Sequence, residues 1–388
     1  MRIAFASHSA FNDYLVVGSH HLTREVILAG HTAIHIGPLI SPFHVILTSV
    51  SPSYRERAAR ALRSPTLLQE RLFSAEGFCV LPWALAKWIA PLGEPFVHLS
   101  NIGSVVSRCG SGPIDILLVD DPRLAGIETI LKPKALYYRP TDLYGKWKDD
   151  VHVIEAERRL LASCDGLIAT SQPVLNHALE LRPGLPHLLL ENGVDFERFS
   201  TVTAEPDDLK AIPHPRAIYV GALDDRFDTR LLDYMAEQLP DVHFVIVGPG
   251  KNLRRVQELG KPNIHSLGPR AYPLVPGYLQ FSEVGLLPLS DNIGNSGRSP
   301  MKLYEYGAAG LPIVSKITPE LARRRESFVH FFSSPEESVE VLRNVLLSPV
   351  DRKKIAEACR VHSWSNKVST LLEFVRKSSG HSVGNGHF

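Results

Sequence analysis

Cysteine is scarce in this chain of 388 residues: Cys79, Cys109, Cys164 and Cys359 lie far apart, with no CxxC pair. That excludes a disulfide-built scaffold and a thiolate zinc site of the usual spacing, and it fits a reducing compartment. Neither sign of charge is in excess. Lys and Arg number 42 against 41 Asp and Glu, a formal net charge of +1. Such a balance leaves no global field to collect DNA or RNA, so no nucleic-acid partner is expected. Long apolar runs are missing too. No stretch of about 18 residues is apolar and free of charge, so no membrane-spanning helix is expected. The opening MRIAFASHSAF carries one positive residue and an apolar run of strand length, too short for the h-region of a signal peptide. The expected location is cytoplasmic, with peripheral contact at the inner face of the cell membrane left open.

What is present reads as a globular protein with a core. Hydrophobic residues make up 44% and charged residues 21%, and the length favours about two domains. Short apolar runs recur with helical stretches between them. Arg2–Ser7, Thr32–Ile36, Ile114–Val119, Ala135–Arg139, Leu167–Thr170 and His187–Leu190 read as strands in the first half. Ala217–Val220, His243–Val247, Ile264–Leu267, Val284–Leu287 and Ile313–Ser315 follow in the second. Most are continuous rather than alternating, as expected where both faces of a parallel sheet are covered. Helix patterns at Glu155–Ala162, Thr229–Gln238, Leu253–Leu259 and Leu303–Ala309 alternate with them. The predicted class is α/β, with two Rossmann-like doubly wound domains. Residues 37–110 show no strand rhythm and read as an insertion. Residues 200–215, STVTAEPDDLKAIPHP, have the composition of a linker. The expected domains are 1–200 and 205–365, followed by a C-terminal helix and tail over 366–388, disordered from Lys377 onward. Ligands of such sheets bind beyond the carboxyl ends of the strands, so two such domains are expected to face a central cleft.

The most informative stretch is Asn295–Val314, NSGRSPMKLYEYGAAGLPIV. Ser299 reads as an N-cap and Pro300 as the first position of a helix running to about Gly310. A helix N-terminus offers unpaired N–H groups to an anion. Lys302 adds a point charge suited to phosphate, and Glu305, one turn on, can take both hydroxyls of a ribose. The plain alternative is a capped helix with a Lys302–Glu305 pair.

The string S-P-x-K-x-x-E-Y-x-A-x-G-x-P-I-V resembles the donor-site signature of GT-B glycosyltransferases. The resemblance implies that Ser299, Met301 and Lys302 contact the diphosphate of a nucleotide-sugar and that Glu305 contacts its ribose. Ala217–Leu223, AIYVGAL, is similar to the strand and glycine turn that face the donor in that family, which adds Gly221 and Leu223. Val242–Gly250 is similar to the next strand and turn. Asn263–Pro269 and Leu279–Pro288 resemble the stretch that reads the base, with Arg270 counted on the donor side. Glu191–Phe199, ENGVDFERF, resembles the strand end before the interdomain linker. Many retaining members carry a second Glu ahead of the helix Glu, and Gly297 stands at that position here.

That departure points to an inverting base. Tyr137–Tyr144, YYRPTDLY, places Asp142 on a loop after a strand, where a carboxylate can take a hydroxyl proton. A helix N-cap is the plain alternative. The stretch resembles the inverting β-glucuronosyltransferase of xanthan assembly, glycosyltransferase family 70. This implies Asp142 as the base, a donor such as UDP-glucuronate, a lipid-linked or polysaccharide acceptor, and no metal or other cofactor. Arg139 either orients Asp142, holds an anionic group or forms a structural ion pair. Asn12, Asp13 and His20 follow the first strand and are expected on the acceptor side, as is His21. Asp120 and Asp121 read as turn residues. Asp224 and Asp225 are placed near the donor sugar. Trp83, Trp88 and the helix carrying Arg55, Arg57, Arg60 and Arg63 make residues 50–97 the candidate membrane contact, against a reading of the tryptophans as core. Other functions compatible with the same signature are retaining transfer, nucleotide-sugar epimerisation or hydrolysis, and non-catalytic nucleotide-sugar binding.

Overall fold

The computed structural model describes residues 1–13, 16–46, 52–89, 97–144 and 150–381. The chain forms two compact units: Met1–Glu191 together with Lys367 onward, and Asn192–Asn366.

The first unit holds a sheet of β1 (Arg2–Ala6), β2 (Thr32–Ile36), β3 (Thr66–Gln69), β4 (Leu72–Ala75), β5 (Ile116–Val119), β6 (Ala135–Tyr138), β7 (Gly166–Ala169) and β8 (His187–Leu189), ordered β3-β4-β2-β1-β5-β6-β7-β8. All neighbours pair in parallel except β3 with β4. The strands read as apolar runs because helices cover both faces; β5 and β6 are buried along their whole length. Helix Val151–Ser163 buries Val153, Ala156, Leu160 and Leu161, a stripe at helical spacing, and Asp150 caps it by accepting the His152 N–H at 3.1 Å. Tyr137 on β6 fits because its neighbour on β7 is Gly166, where an added Cβ would lie 2.9 Å from the tyrosine ring. The Tyr137 hydroxyl reaches Ser378 at 2.6 Å and the Val375 carbonyl at 3.3 Å. Both partners sit on helix Trp364–His381, which remains helical past Lys377, correcting the expected start of disorder. Residues 382–388 of the predicted tail lie outside the described residues.

The second unit holds β9 (Arg216–Val220), β10 (His243–Val247), β11 (Ile264–Gly268), β12 (Val284–Leu287), β13 (Ile313–Lys316) and β14 (Val329–Phe332), all parallel, in the order β11-β10-β9-β12-β13-β14. One apolar cluster packs around Ile218, Val245, Leu287 and Tyr306, and a second around Ala217, Phe244, Leu286 and Val314. These are alternate residues of the same strands, so the two clusters lie on opposite faces of the sheet. In both units the strand order reverses beside the first strand, between β1 and β5 and between β9 and β12. Ligands of doubly wound sheets settle at that crevice.

Two expectations change. The stretch 200–215 is part of the second unit: it contains helix Asp207–Lys210, and Leu209 and Ile212 enter that unit's core. Its polar composition reflects the exposed side of a folded segment. Residues 37–110 contribute two strands, β3 and β4. Most of β3 is solvent-facing, so no buried apolar run announces it.

At the carboxyl edge of the first sheet, Asp120 follows β5 and Arg139 follows β6. The guanidinium donates to both carboxylate oxygens at 2.7 and 2.6 Å, with both residues buried. Removing one partner of a buried pair strands the other charge. Asp120→Ala is expected to cost about 3–5 kcal/mol in urea unfolding, with Asp120→Asn costing less because it keeps an acceptor.

Candidate functional site

The second unit gathers its chemistry at the switch point after β9. The Gly221 N–H donates to the Val247 carbonyl at 2.8 Å, Leu223 to Pro249 at 2.7 Å, and Gly248 to Gly268 at 2.9 Å. These contacts stitch together the turns that follow β9, β10 and β11. Side chains are excluded there: a Cβ on Gly248 would lie 1.9 Å from the Gly221 carbonyl oxygen. A Cβ on Gly221 would lie 2.1 Å from Cε and 2.5 Å from Nζ of Lys302. The bare glycine backbone is what lets the lysine lie across the turn.

Lys302 opens helix Lys302–Ala308. Tyr306, one turn on, fixes that helix to β9 by accepting the Val220 N–H at 2.7 Å. Lys302 Nζ lies 5.6 Å from the centre of the Tyr219 ring. Burial first, and the charge of Arg298 second, hold the lysine down to about 7, while Glu305 pulls in the opposite direction. Glu305 is itself buried, and burial raises its carboxyl above the ordinary range against the counter-pull of Lys302 and Tyr272. Tyr272 donates its hydroxyl to Glu305 Oε1 at 3.1 Å. Arg226 and Arg298 add positive charge near the lysine. Arg226 also forks onto Asp224, pulling that carboxyl down against the effect of burial. Asp225 pairs with Lys251 at 2.5 Å.

Tyr272, Arg226 and Arg298 were missed by the sequence reading. Arg298 stood inside the recognised stretch, directly before Ser299. Arg226 was discoverable from the acidic doublet before it. Tyr272 is linked to Glu305 only through the fold.

Other donor-side residues are placed differently from expectation. Ser299 is buried but is no N-cap. Its hydroxyl accepts the Asn192 N–H at 3.1 Å and Arg324 at 2.7 Å, and its carbonyl accepts Asn192 Nδ2 at 2.7 Å. With that hydroxyl engaged, the helix starts three residues later and Met301 occupies the cap position without a side-chain cap. The N-G-V-D and S-P stretches thus meet through Asn192 and Ser299. Leu223 is buried and contributes backbone. Arg270, just past β11, donates to Asp208 at 2.6 Å, to the Tyr278 hydroxyl at 2.9 Å and to the Pro269 carbonyl at 2.9 Å.

In the first unit, Asp142 is half-buried on the loop after β6, and its carbonyl accepts the Tyr144 N–H at 3.0 Å. The next residues, 145–149, lie outside the described residues. Of the readings open for Arg139, the structural ion pair is the one found, with Asp120. Asp120 is therefore more than a turn residue. Asp121 accepts the Arg123 N–H at 2.9 Å and is gripped by that guanidinium, which holds its carboxyl low against the effect of burial.

The acceptor-side reading of His20 is corrected. Its ring is fully buried, with Nδ1 accepting the Val17 N–H at 3.0 Å and Nε2 donating to the Ala10 carbonyl at 3.0 Å. Burial, His35 and His21 drive it down to about 2, so it stays neutral. Asp13 likewise holds the first loop, accepting the Ala10 N–H at 3.0 Å and Arg60 at 3.0 Å. Asn12 is exposed on that turn. Among the candidate membrane residues, Arg60 is tied to Asp13 and Glu76, Trp83 packs on the core, and Trp88 is 72% exposed. Residues 51 and 90–96 of that segment lie outside the described residues. No helix among the described residues is long and apolar enough to cross a membrane.

Comparisons with known proteins bear on both units. Residues 226–373 match the family described as "Glycosyl transferase-like". A protein of Bacillus subtilis (strain 168) named for a glycosyltransferase of teichuronic acid biosynthesis, TuaH, is 29% identical over 160 residues, which cover 39% of this chain and 40% of that relative. Sucrose-phosphate synthase from Thermosynechococcus elongatus superposes with a TM-score of 0.74 over 98% of this chain and 99% of its own, at 14% identity. Anabaena HepE, solved in complex with UDP, superposes with a TM-score of 0.63 over 97% and 100%, at 15% identity. The chain thus has the two-sheet GT-B fold of these solved structures, and its residues 226–373 resemble the glycosyl transferase-like family.

Proposed function

We propose that this protein is a glycosyltransferase of glycan biosynthesis that moves a sugar from a UDP-sugar to an acceptor hydroxyl with inversion, glucuronate being the sugar favoured by the family 70 resemblance. The observation that carries the donor half is Lys302. It is a half-buried lysine, held down to about 7, laid across a glycine turn at a sheet switch point, with Glu305 and Tyr272 on the same helix face and loop. A diphosphate at Gly221 supplies the anion this amine lacks, and Glu305 then accepts from ribose hydroxyls. The UDP complex of HepE and the teichuronic acid glycosyltransferase name of TuaH support this reading.

In the proposed reaction Asp142 takes the proton of the acceptor hydroxyl. The oxygen attacks the anomeric carbon from the face opposite the diphosphate, the bond from that carbon to the diphosphate oxygen breaks, and UDP leaves with the electron pair. Protonated Lys302, helped by Arg226 and Arg298, stabilises the charge that gathers on UDP. These side chains carry the charge in this scheme without a metal ion. A lipid-linked acceptor at the inner membrane face belongs to the same proposal. Exposed Trp88 and Leu62 (77% exposed), with exposed Arg55 and Arg63 close in sequence, form the surface that would meet the bilayer.

Calorimetric titration with UDP, GDP, dTDP and ADP tests the donor site. UDP is expected to bind selectively, and Lys302→Ala to weaken it by about 100-fold or more, the scale of a lost buried charge pair. A neighbouring anion raises a lysine that burial holds to about 7. Binding at pH 8 should therefore take up close to one proton, read from heats in buffers of different ionisation enthalpy. Affinity should fall as pH rises above 7, and Lys302→Ala should abolish the uptake. No nucleotide binding by the wild type overturns the donor site. Asp142→Asn is expected to lower transfer by at least about 100-fold with UDP affinity intact, and NMR of the product anomer decides inversion.

A further inference from the structure

The first unit has a pocket of about 320 Å³ that the proposed reaction does not use. His8, just past β1, and Asp121, just past β5, place it at that sheet's switch point, and His44, Arg57, Trp83 and Arg123 also line it. The volume lies at the small end of ligand sites, suited to one sugar ring.

Its cations differ in how they are held. Asp121 is gripped by the Arg123 fork. On the helix Pro52–Arg63, Arg60 pairs with Asp13 and Glu76 at 3.0 and 2.9 Å, and Arg57 feels the Glu76 charge without pairing with it. His44 accepts from the Ser41 N–H at 3.1 Å through Nδ1 and is held down by burial and by Arg57. Arg57 remains. Its Nε is buried without a hydrogen-bond partner, and it forms no ion pair among the described residues; its guanidinium stands 5.8 Å from the centre of the Tyr54 ring. A buried N–H without an acceptor is costly, and an anion entering the pocket supplies one. Trp83, packed on the core behind, supplies an aromatic wall of the kind that sugar rings lie against.

We propose that this pocket binds an acidic sugar of the acceptor, with Arg57 gripping its carboxylate or phosphate and Trp83 against its ring, so that the enzyme extends glycans that are already anionic. The inference rests on the transferase reading for the word acceptor, but the pocket and its charge stand apart from the donor site.

The full chain is titrated by NMR with methyl β-glucuronide, glucose 6-phosphate and methyl β-glucoside, with and without UDP. One acidic sugar is expected to bind at least about tenfold tighter than the neutral glucoside, the carboxylate or phosphate preference naming the acid. Arg57→Gln should erase that preference while leaving glucoside and UDP affinity unchanged, and Arg57→Lys should restore part of it. Equal binding of acidic and neutral sugars, or a preference that survives Arg57→Gln, overturns the proposal. An Arg57-dependent preference in a protein that binds no UDP sinks the transferase reading and leaves the pocket as an anionic-sugar site.

Discussion

A lysine amine removed from water is stable only where something replaces the water, and the second unit is arranged around that constraint. Lys302 can reach the backbone of the strand turn because Gly221 has no side chain. Gly221 can hold its position because Gly248, equally bare, lets the next turn close against it. Tyr306 fixes the helix so that the amine does not drift. Glu305 supplies part of the missing counter-charge and is itself moderated by Tyr272. The two arginines near the amine add positive charge that works against its protonation. Burial strengthens every electrostatic contact at such a site.

The fold was legible in the sequence wherever strands were buried on both faces. Phe244, Val245, Ile246 and Val247 could be recognised because these four residues of β10 are all buried and all apolar. β3 escaped for the converse reason: it lies at the sheet edge, largely in solvent, and pairs antiparallel. Residues 200–215 misled because prolines and acids suggest a linker, whereas Leu209 and Ile212 were enough to anchor the segment in the core.

The site was legible to the extent that its chemistry is local in sequence. Lys302 and Glu305 stand one helical turn apart, and that spacing survives into the structure. Ser299 looked like a cap because its sequence context is that of a cap. Its hydroxyl goes instead to Asn192, more than a hundred residues earlier, a partner no local pattern names. The histidines after β1 looked reactive because histidine near a strand end often is. His20 and His35 instead form a buried, edge-packed cluster with Phe11, in which the nitrogens of His20 are used to tie the first loop to its helix. The pocket around Arg57 draws on five separated stretches of chain, so it exists only once the sheet has formed.

The return of the chain to its first unit has a consequence for assembly. Tyr137 sits in the middle of the first sheet, yet its hydroxyl is satisfied by residues on the helix that ends near His381. During synthesis those two contacts wait while the whole of Asn192–Asn366, a compact unit of its own, is made. The last helix is therefore the latch that completes the first unit. Shortening the chain by those final turns would disturb a sheet begun at residue 2 while leaving the more recently made sheet intact.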